Sequence, residues 1–376
     1  MRILHTADWH IGKTLYEYPL LEDQRAWFGR LYDFLAAERV ELVLVAGDIY
    51  DRIIPSGAAV ALLDEVLCHI TQTLGIPVVL IAGNHDSAER LGFGRRLLAG
   101  AGAFVAAVPE RDPTPLRFSD AYGALYVWPT PYADAAAVRA LYPEEDVTGP
   151  GQAAAVLIGR AAARLDPDAR NLALAHGFFM DTASDGLAGA LDACSPAVFE
   201  RFDYAALGHL HSAIPVGRET VRYAGSPIKY AVAEAGQQKA VTLLDLREKG
   251  RLEVTQHSIA ATHDLRELTG RFDELCLPDA ATEDYVFVNL TDDGEIFDAM
   301  GRLRELYPNI LGLRLLRDRG GAQSRELARQ LRGGDPVALF ARFYEQIKGE
   351  PLPEHRRVIV AEALRAALRP TEGGGD

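Results

Sequence analysis

Apolar residues recur along this chain in two rhythms. Short unbroken runs at 2–7, 40–46, 78–82, 124–128 and 172–175 are strand-length and predict buried strands. Between them the spacing lengthens to three and four. Residues 21–37 carry Phe28, Leu31 and Leu35 on one face, which predicts a helix. Residues 58–74 carry Leu62, Leu63, Val66, Leu67, Ile70 and Leu74, and Gly75 and Pro77 close that helix. A further helix is predicted over 88–99. From 204 onward strands dominate, at 204–207, 220–223, 240–246 and 252–258. Helices early and strands late predict a layered α/β sandwich rather than a doubly wound sheet.

A change of composition near 260 marks a boundary. Leu265, Leu268, Phe272 and Leu275 are spaced as a helical stripe. Strands are predicted at 284–290 and 310–316, with a helix over 295–307 between them. Glycine pairs at 320–321 and 333–334 flank a polar stretch that reads as a linker. Asp335 and Pro336 then open a helix as N-cap and first residue. A second helical stripe runs over 354–368. The expected division is 1–260, 261–318, a linker at 319–334 and C-terminal helices over 335–370. The length of 376 residues agrees, at roughly two to three domains.

Five of the strands end in polar residues able to hold a metal. In chain order these are Asp8 and His10, then Asp48, then Asn84-His85-Asp86, then His176, then His209 and His211. Ligands at the carboxyl ends of neighbouring strands converge on one crevice. One histidine after one strand would be unremarkable, but five strands ending this way are not. A mixed Asp, Asn and His donor set suits Mn²⁺, Fe²⁺ or Zn²⁺. There are more donors than one ion takes, which suits a pair of ions bridged by a carboxylate about 3.5–4 Å apart.

Asp8-x-His10, Gly47-Asp48-x-x-Asp51, Gly83-Asn84-His85-Asp86, His176 and Gly208-His209-x-His211 resemble, in order, the five motifs of the calcineurin-like metallophosphoesterases. The text around residues 5–12, 21–24, 204–211, 223–227, 284–292 and 335–344 narrows the resemblance to the SbcD family, nuclease subunits of bacterial SbcCD DNA-repair complexes. It implies a four-layer α/β/β/α sandwich with a small α+β capping domain and C-terminal helices. It also implies two Mn²⁺ per chain, with Mg²⁺, Fe²⁺ or Zn²⁺ as alternatives. One ion would be held by Asp8, His10, Asp48 and His211, the other by Asp48, Asn84, His176 and His209. His85 would face the phosphate, oriented by Asp51. The activity implied is 3′→5′ exonuclease on duplex ends and endonuclease on single strands and hairpins. The implied partners are DNA, an SbcC-type ATPase on the C-terminal helices, and a second copy through helices 58–74 and 88–99. A phosphomonoesterase or small-molecule phosphodiesterase of the same superfamily, and a non-catalytic DNA-end scaffold, stay open as rivals.

The charge balance pulls the other way. With 39 basic and 53 acidic side chains the net charge is −14, which taken alone argues against nucleic acid. Lys13, Arg52, Arg90, Arg95 and Arg96 lie near the ligand-bearing loops and are the candidate DNA contacts. Three scattered cysteines and no secretory apolar segment predict a reducing cytoplasm, and the resemblance implies association with the nucleoid. No apolar run is long enough for a membrane span. His5 is expected in the core, and His69, His257, His263 and His355 at the surface. Trp9 and Tyr16 are expected either to pack or to stack on bases. Gly12-Lys13-Thr14 resembles the end of a phosphate-binding loop, but Ala7 stands where its first glycine belongs, so no ATP site is expected.

Overall fold

The computed structural model describes residues 1–180, 192–294 and 296–316, and further on 341, 344, 351–353, 356–357 and 360. Met1–Leu315 form one unit and Leu316–Asp376 another. The linker expected at 319–334 lies outside the described residues. So do the helices expected over 335–370, those few positions excepted. Within the second unit, Arg356 donates a hydrogen bond to the Tyr344 hydroxyl.

Two six-stranded sheets form the larger part of the first unit. In the first, spatial order runs Leu252–His257, Val241–Leu246, Arg2–Thr6, Leu42–Val45, Val78–Ile81, Ala103–Ala106, and the last four are mutually parallel. In the second it runs Pro215–Val216, Arg218–Tyr223, Tyr204–Gly208, Arg170–His176, Gly123–Thr130, Leu116–Asp120. Because strand side chains alternate, each parallel strand serves two cores. Ile3, Leu42, Leu44, Val79 and Ile81 pack between the sheets against Leu125, Val127, Leu172 and Leu174. Leu4, Val43, Val45 and Leu80 face outward onto Trp27, Phe28 and Leu31 of helix Leu21–Ala37, and onto Leu62 and Val66 of helix Gly57–Cys68. Helix Pro150–Ala162 covers the far face of the second sheet through Ile158 and Ala161. The result is the expected four-layer α/β/β/α sandwich.

Three sequence expectations need correction. Helix 58–74 is α-helical over Gly57–Cys68 and then widens into a π turn at His69–Thr73. Helix 88–99 is two short helices, Ala88–Leu91 and Arg95–Gly100, broken where Gly94 takes a left-handed conformation at φ 71°. The stripe beginning at Leu265 is not helical. Leu265–Gly270 is a strand paired parallel to Tyr285–Leu290, and only Phe272–Leu275 forms a helical turn. Only Leu265 and Leu268 of that stripe lie in the strand, and pairing with an adjacent buried strand overrides the helical spacing.

That strand belongs to a small three-stranded parallel sheet completed by Ile310–Leu315, with its own core of Phe272, Val286, Val288, Leu303 and Tyr307. It is fastened to helix Leu21–Ala37 through buried Asp23. The two carboxylate oxygens of Asp23 accept from His263 Nδ1 and from the Tyr285 hydroxyl, each at 2.8 Å. His263, expected at the surface, is therefore a bridging residue.

Candidate metal centre

All five motifs come together where the carboxyl ends of the two sheets meet. The chain after Arg2–Thr6 keeps pairing with the chain after Leu42–Val45. Asp8 N donates to the Gly47 carbonyl (3.0 Å), and His10 N to the Asp48 carbonyl (2.9 Å). Asp8, His10, Asp48 and His209 all have positive φ, at 52°, 42°, 50° and 112°. Side chains rarely adopt such values, and strain of this kind collects at functional sites. Glycine lets the two sheets close on one another. A Cβ on Gly208 would lie 1.8 Å from the Ala46 carbonyl oxygen, and one on Gly47 would lie 2.3 Å from His176 Nδ1; within the first sheet, one on Gly83 would lie 2.1 Å from Asp48 Oδ1.

The side chains fall into three groups, Asp8–His10–His211, Asp48–His176–His209 and His10–Asp51–His85, each with ligand atoms within 4.8 Å of one another. The first two hold the expected ligands. Asp48 stands between them. Its Oδ2 is 3.6 Å from His10 Nε2 and its Oδ1 is 3.5 Å from His176 Nε2. Asn84 Oδ1 lies 3.0 Å from both His176 Nε2 and His209 Nδ1. His10 Nε2 and His211 Nε2 face each other at 3.1 Å.

The donor chemistry fits a pair of divalent cations. Burial holds His10 down to about 3 and His209 to about 4, and lowers His176 as well, so these rings are neutral at ordinary pH. His176 Nδ1 lies 2.8 Å from the Ala46 carbonyl, which fixes its proton there. Its Nε2 then turns a lone pair toward Asn84 Oδ1 and Asp48 Oδ1. Lone pairs converging in a buried space repel unless a cation sits among them. Asp8 tells the same story. Burial, then the charge of Asp48, push its carboxyl well above the usual range. Burial also opposes ionisation of Asp48, but His176 and His10 prevail and its pKa is lowered. A cation beside Asp8 would reverse its shift, because ligation requires the carboxylate.

The comparisons with known proteins concern the family of the chain. The model of the calcineurin-like phosphoesterases matches residues 1–212, and the model described as the type 5 capsule protein repressor C-terminal domain, the SbcD C-terminal family, matches 261–348. The SbcD subunit of the nuclease SbcCD of Staphylococcus epidermidis is 28% identical over 321 residues, covering 83% of this chain and 85% of that protein. The chain belongs to the SbcD family of calcineurin-like phosphoesterases. Among solved structures, a dimetal phosphatase from Danio rerio aligns at 14% identity and TM-score 0.43, over 69% of this chain and 97% of that one. TT1561 of Thermus thermophilus aligns at 14% identity and TM-score 0.40, over 68% and 98%.

Around this SbcD-family centre the other expected residues are unevenly placed. His85 is partly exposed at its rim. Its backbone N–H donates to Asp48 Oδ1 (2.9 Å) and its Nδ1 lies 3.1 Å from the Asp51 backbone carbonyl. The contact to His85 thus comes from the main chain of Asp51. The Asp51 carboxylate instead pairs with Lys13 Nζ at 2.8 Å and lies 3.8 Å from His10 Nδ1. Lys13 and Arg52 line a groove of about 360 Å³ with Asp51. Arg90 is exposed on its short helix. Arg95 and Arg96 line another cavity, of about 400 Å³, whose lining includes none of the candidate ligands. His5 is a core residue, buried between Tyr204 OH (3.0 Å) and the Leu207 carbonyl (3.1 Å). Trp9 is buried too and donates to Thr6 Oγ1 (3.1 Å), while Tyr16 is exposed.

Three residues hold these loops in roles the sequence reading did not assign, and Asp86, grouped there with the possible metal donors, is a support instead. Asp86 accepts from the backbone N–H groups of Ile49, Tyr50 and Gly83, all within 3.0 Å, and so ties the Asp48 loop to the Asn84 loop. Its place in the third motif was the available signal. Gln24 spans the His10 loop, donating to the His10 carbonyl (2.8 Å) and accepting from Gly12 N (2.9 Å). Glu234 contacts His211 Nδ1 at 2.8 Å, and no local pattern marks it.

Proposed function

We propose that this protein is a Mn²⁺-dependent DNA nuclease, a 3′→5′ exonuclease on duplex ends and an endonuclease on single strands and hairpins. The observation that carries this reading is the pair of ligand groups facing each other across Asp48, with His85 at their rim. Asp8, His10, Asp48 and His211 would hold one cation, and Asp48, Asn84, His176 and His209 the other. Mn²⁺ suits the mixed donors, with Mg²⁺, Fe²⁺ or Zn²⁺ as substitutes. When bound, the two cations supply Lewis-acid charge for phosphodiester hydrolysis. The protein's own part is to fix that site and to place an imidazole against the phosphate. His85, with Nδ1 held by the Asp51 carbonyl, keeps Nε2 for the scissile phosphate or the leaving oxygen. Lys13 and Arg52 line the groove beside Asp51 and would contact phosphate there; Arg90, Arg95 and Arg96 are further candidates.

The relative from S. epidermidis, a subunit of SbcCD, supports a partner subunit; that partner would be an ATPase of the SbcC type, docked on the C-terminal helices expected over 335–370. A second copy would pair through 58–74 and 88–99, where Val60, Phe93 and Leu97 are exposed. The working place is the cytoplasm, at DNA ends. Among the described residues no helix is long and apolar enough to cross a membrane.

The test is end-labelled duplex and hairpin DNA beside p-nitrophenyl phosphate, each with Mn²⁺ and with EDTA. The expected result is Mn²⁺-dependent shortening of duplex and opening of hairpins. Monoester hydrolysis without DNA cleavage would make the protein a phosphomonoesterase. No hydrolysis of either substrate would make it a scaffold.

A further inference from the structure

His211 can serve a cation through Nε2 only if its proton is kept on Nδ1 and its ring is held edge-on to Asp8 and His10. The structure places one carboxylate where it can do both. Glu234, on the turn Val232–Glu234, brings Oε1 to 2.8 Å from His211 Nδ1. Its other oxygen accepts from Lys239 Nζ at 2.6 Å and from Tyr230 N at 3.1 Å, so the carboxylate cannot swivel away. Lys239 Nζ also donates to the His211 carbonyl at 2.8 Å, so ring and main chain of His211 are gripped by the same ion pair. Both partners are 8% exposed.

We propose that Glu234 is a positioning residue for His211, fixing its tautomer and ring plane so that the Asp8–His10–His211 half of the centre is ready for its cation. This rests on the two-cation reading above. The other half is anchored differently, since His176 gives its Nδ1 proton to a neutral peptide carbonyl. A carboxylate behind an imidazole raises its basicity as a ligand and a carbonyl does so less. The two cation sites are therefore unequal by construction, and only the Glu234 side can be loosened by removing a carboxylate behind its imidazole. A buried Glu–Lys pair can also be merely structural, and then an apolar replacement of both partners would serve as well.

The experiment is a calorimetric titration of the metal-free full-length protein with Mn²⁺, repeated with Co²⁺ while following its visible spectrum. Glu234→Ala should weaken one of two binding events by about 10- to 100-fold and leave the other unchanged. Glu234→Gln, which keeps an acceptor but not the charge, should fall between. The double variant Glu234→Leu/Lys239→Met removes the unpaired lysine and should melt, metal-free, as the wild type does, yet keep the one weak site. Two wild-type affinities in that double variant would overturn the proposal, as would equal weakening of both sites. If Glu234→Ala does not fold, the Gln and double variants decide in the same way. A wild-type protein that takes up no pair of cations would instead overturn the reading of the metal centre, and this inference with it.

Discussion

Replacing His85 by alanine separates chemistry from metal binding. The backbone N–H of residue 85 donates to Asp48 Oδ1, and alanine keeps that bond. What is lost is the ring: its Nδ1 contact to the Asp51 carbonyl and whatever Nε2 does for substrate. The ring is partly exposed and makes one neutral hydrogen bond, so the stability cost should be about 1 kcal/mol. The loss of a general acid or phosphate-positioning group should cost about 10²–10⁴ in rate, or roughly 3–5 kcal/mol in barrier. The two magnitudes differ enough to be told apart. Single-turnover cleavage of labelled duplex, measured beside metal stoichiometry, should show wild-type metal content, wild-type DNA binding and the slowed step. Asp48→Ala should lose metal as well as rate, because Asp48 stands between both ligand groups. The contrast has force because His85 also lies within 4.8 Å of His10 and Asp51 in a third group of donors. If His85→Ala protein holds one ion fewer per chain, His85 is a ligand and its assigned role is wrong.

Gly208→Ala should destabilise the fold by about 3 kcal/mol or more and abolish the His176 half of the centre, because the new Cβ would lie 1.8 Å from the Ala46 carbonyl oxygen and 2.9 Å from His176 Nδ1; wild-type melting and metal uptake would show that the sheets can part there. His5, which burial holds to about 3, takes up a proton in the unfolded chain near pH 6.5 but not in the folded one. Its contribution is thus complete above pH 6.5 and is lost as pH falls toward 3, by on the order of 4–5 kcal/mol, so denaturant midpoints should drop more steeply with acid in the wild type than in His5→Gln. Leu97 is 84% exposed, so Leu97→Asp should leave the melting temperature unchanged and weaken self-association in sedimentation; unchanged sedimentation would place any dimer contact elsewhere. Leu62 is no substitute in that test, being 1% exposed within the core.

The sequence carried the centre better than its supports, and the reason is physical. Asp8, Asp48, Asn84, His176 and His209 each follow a run of apolar residues by a step or two, so strand and ligand are read together from one short window. The glycines at 47 and 208 stand beside ligands because the two sheets leave no room for a Cβ there, and Gly83 because Asp48 after the neighbouring strand leaves none, so they too are local marks of the site. Gln24 and Glu234 act on loops 14 and 23 residues away, through contacts that only the closed fold creates. No spacing rule reports such a pair. Asp51 shows the remaining gap. Its position in the motif pointed to His85, and the backbone does reach that ring, but which atom makes the contact depended on where Lys13 stood. The strand at Leu265–Gly270 failed for a related reason, since its local spacing is helical and only the pairing with Tyr285–Leu290 makes it a strand. Motif reading therefore finds the groups whose chemistry is set by their own strand. The groups that orient them are set by neighbours far along the chain, and a substitution there should act on metal affinity or geometry before it acts on the fold.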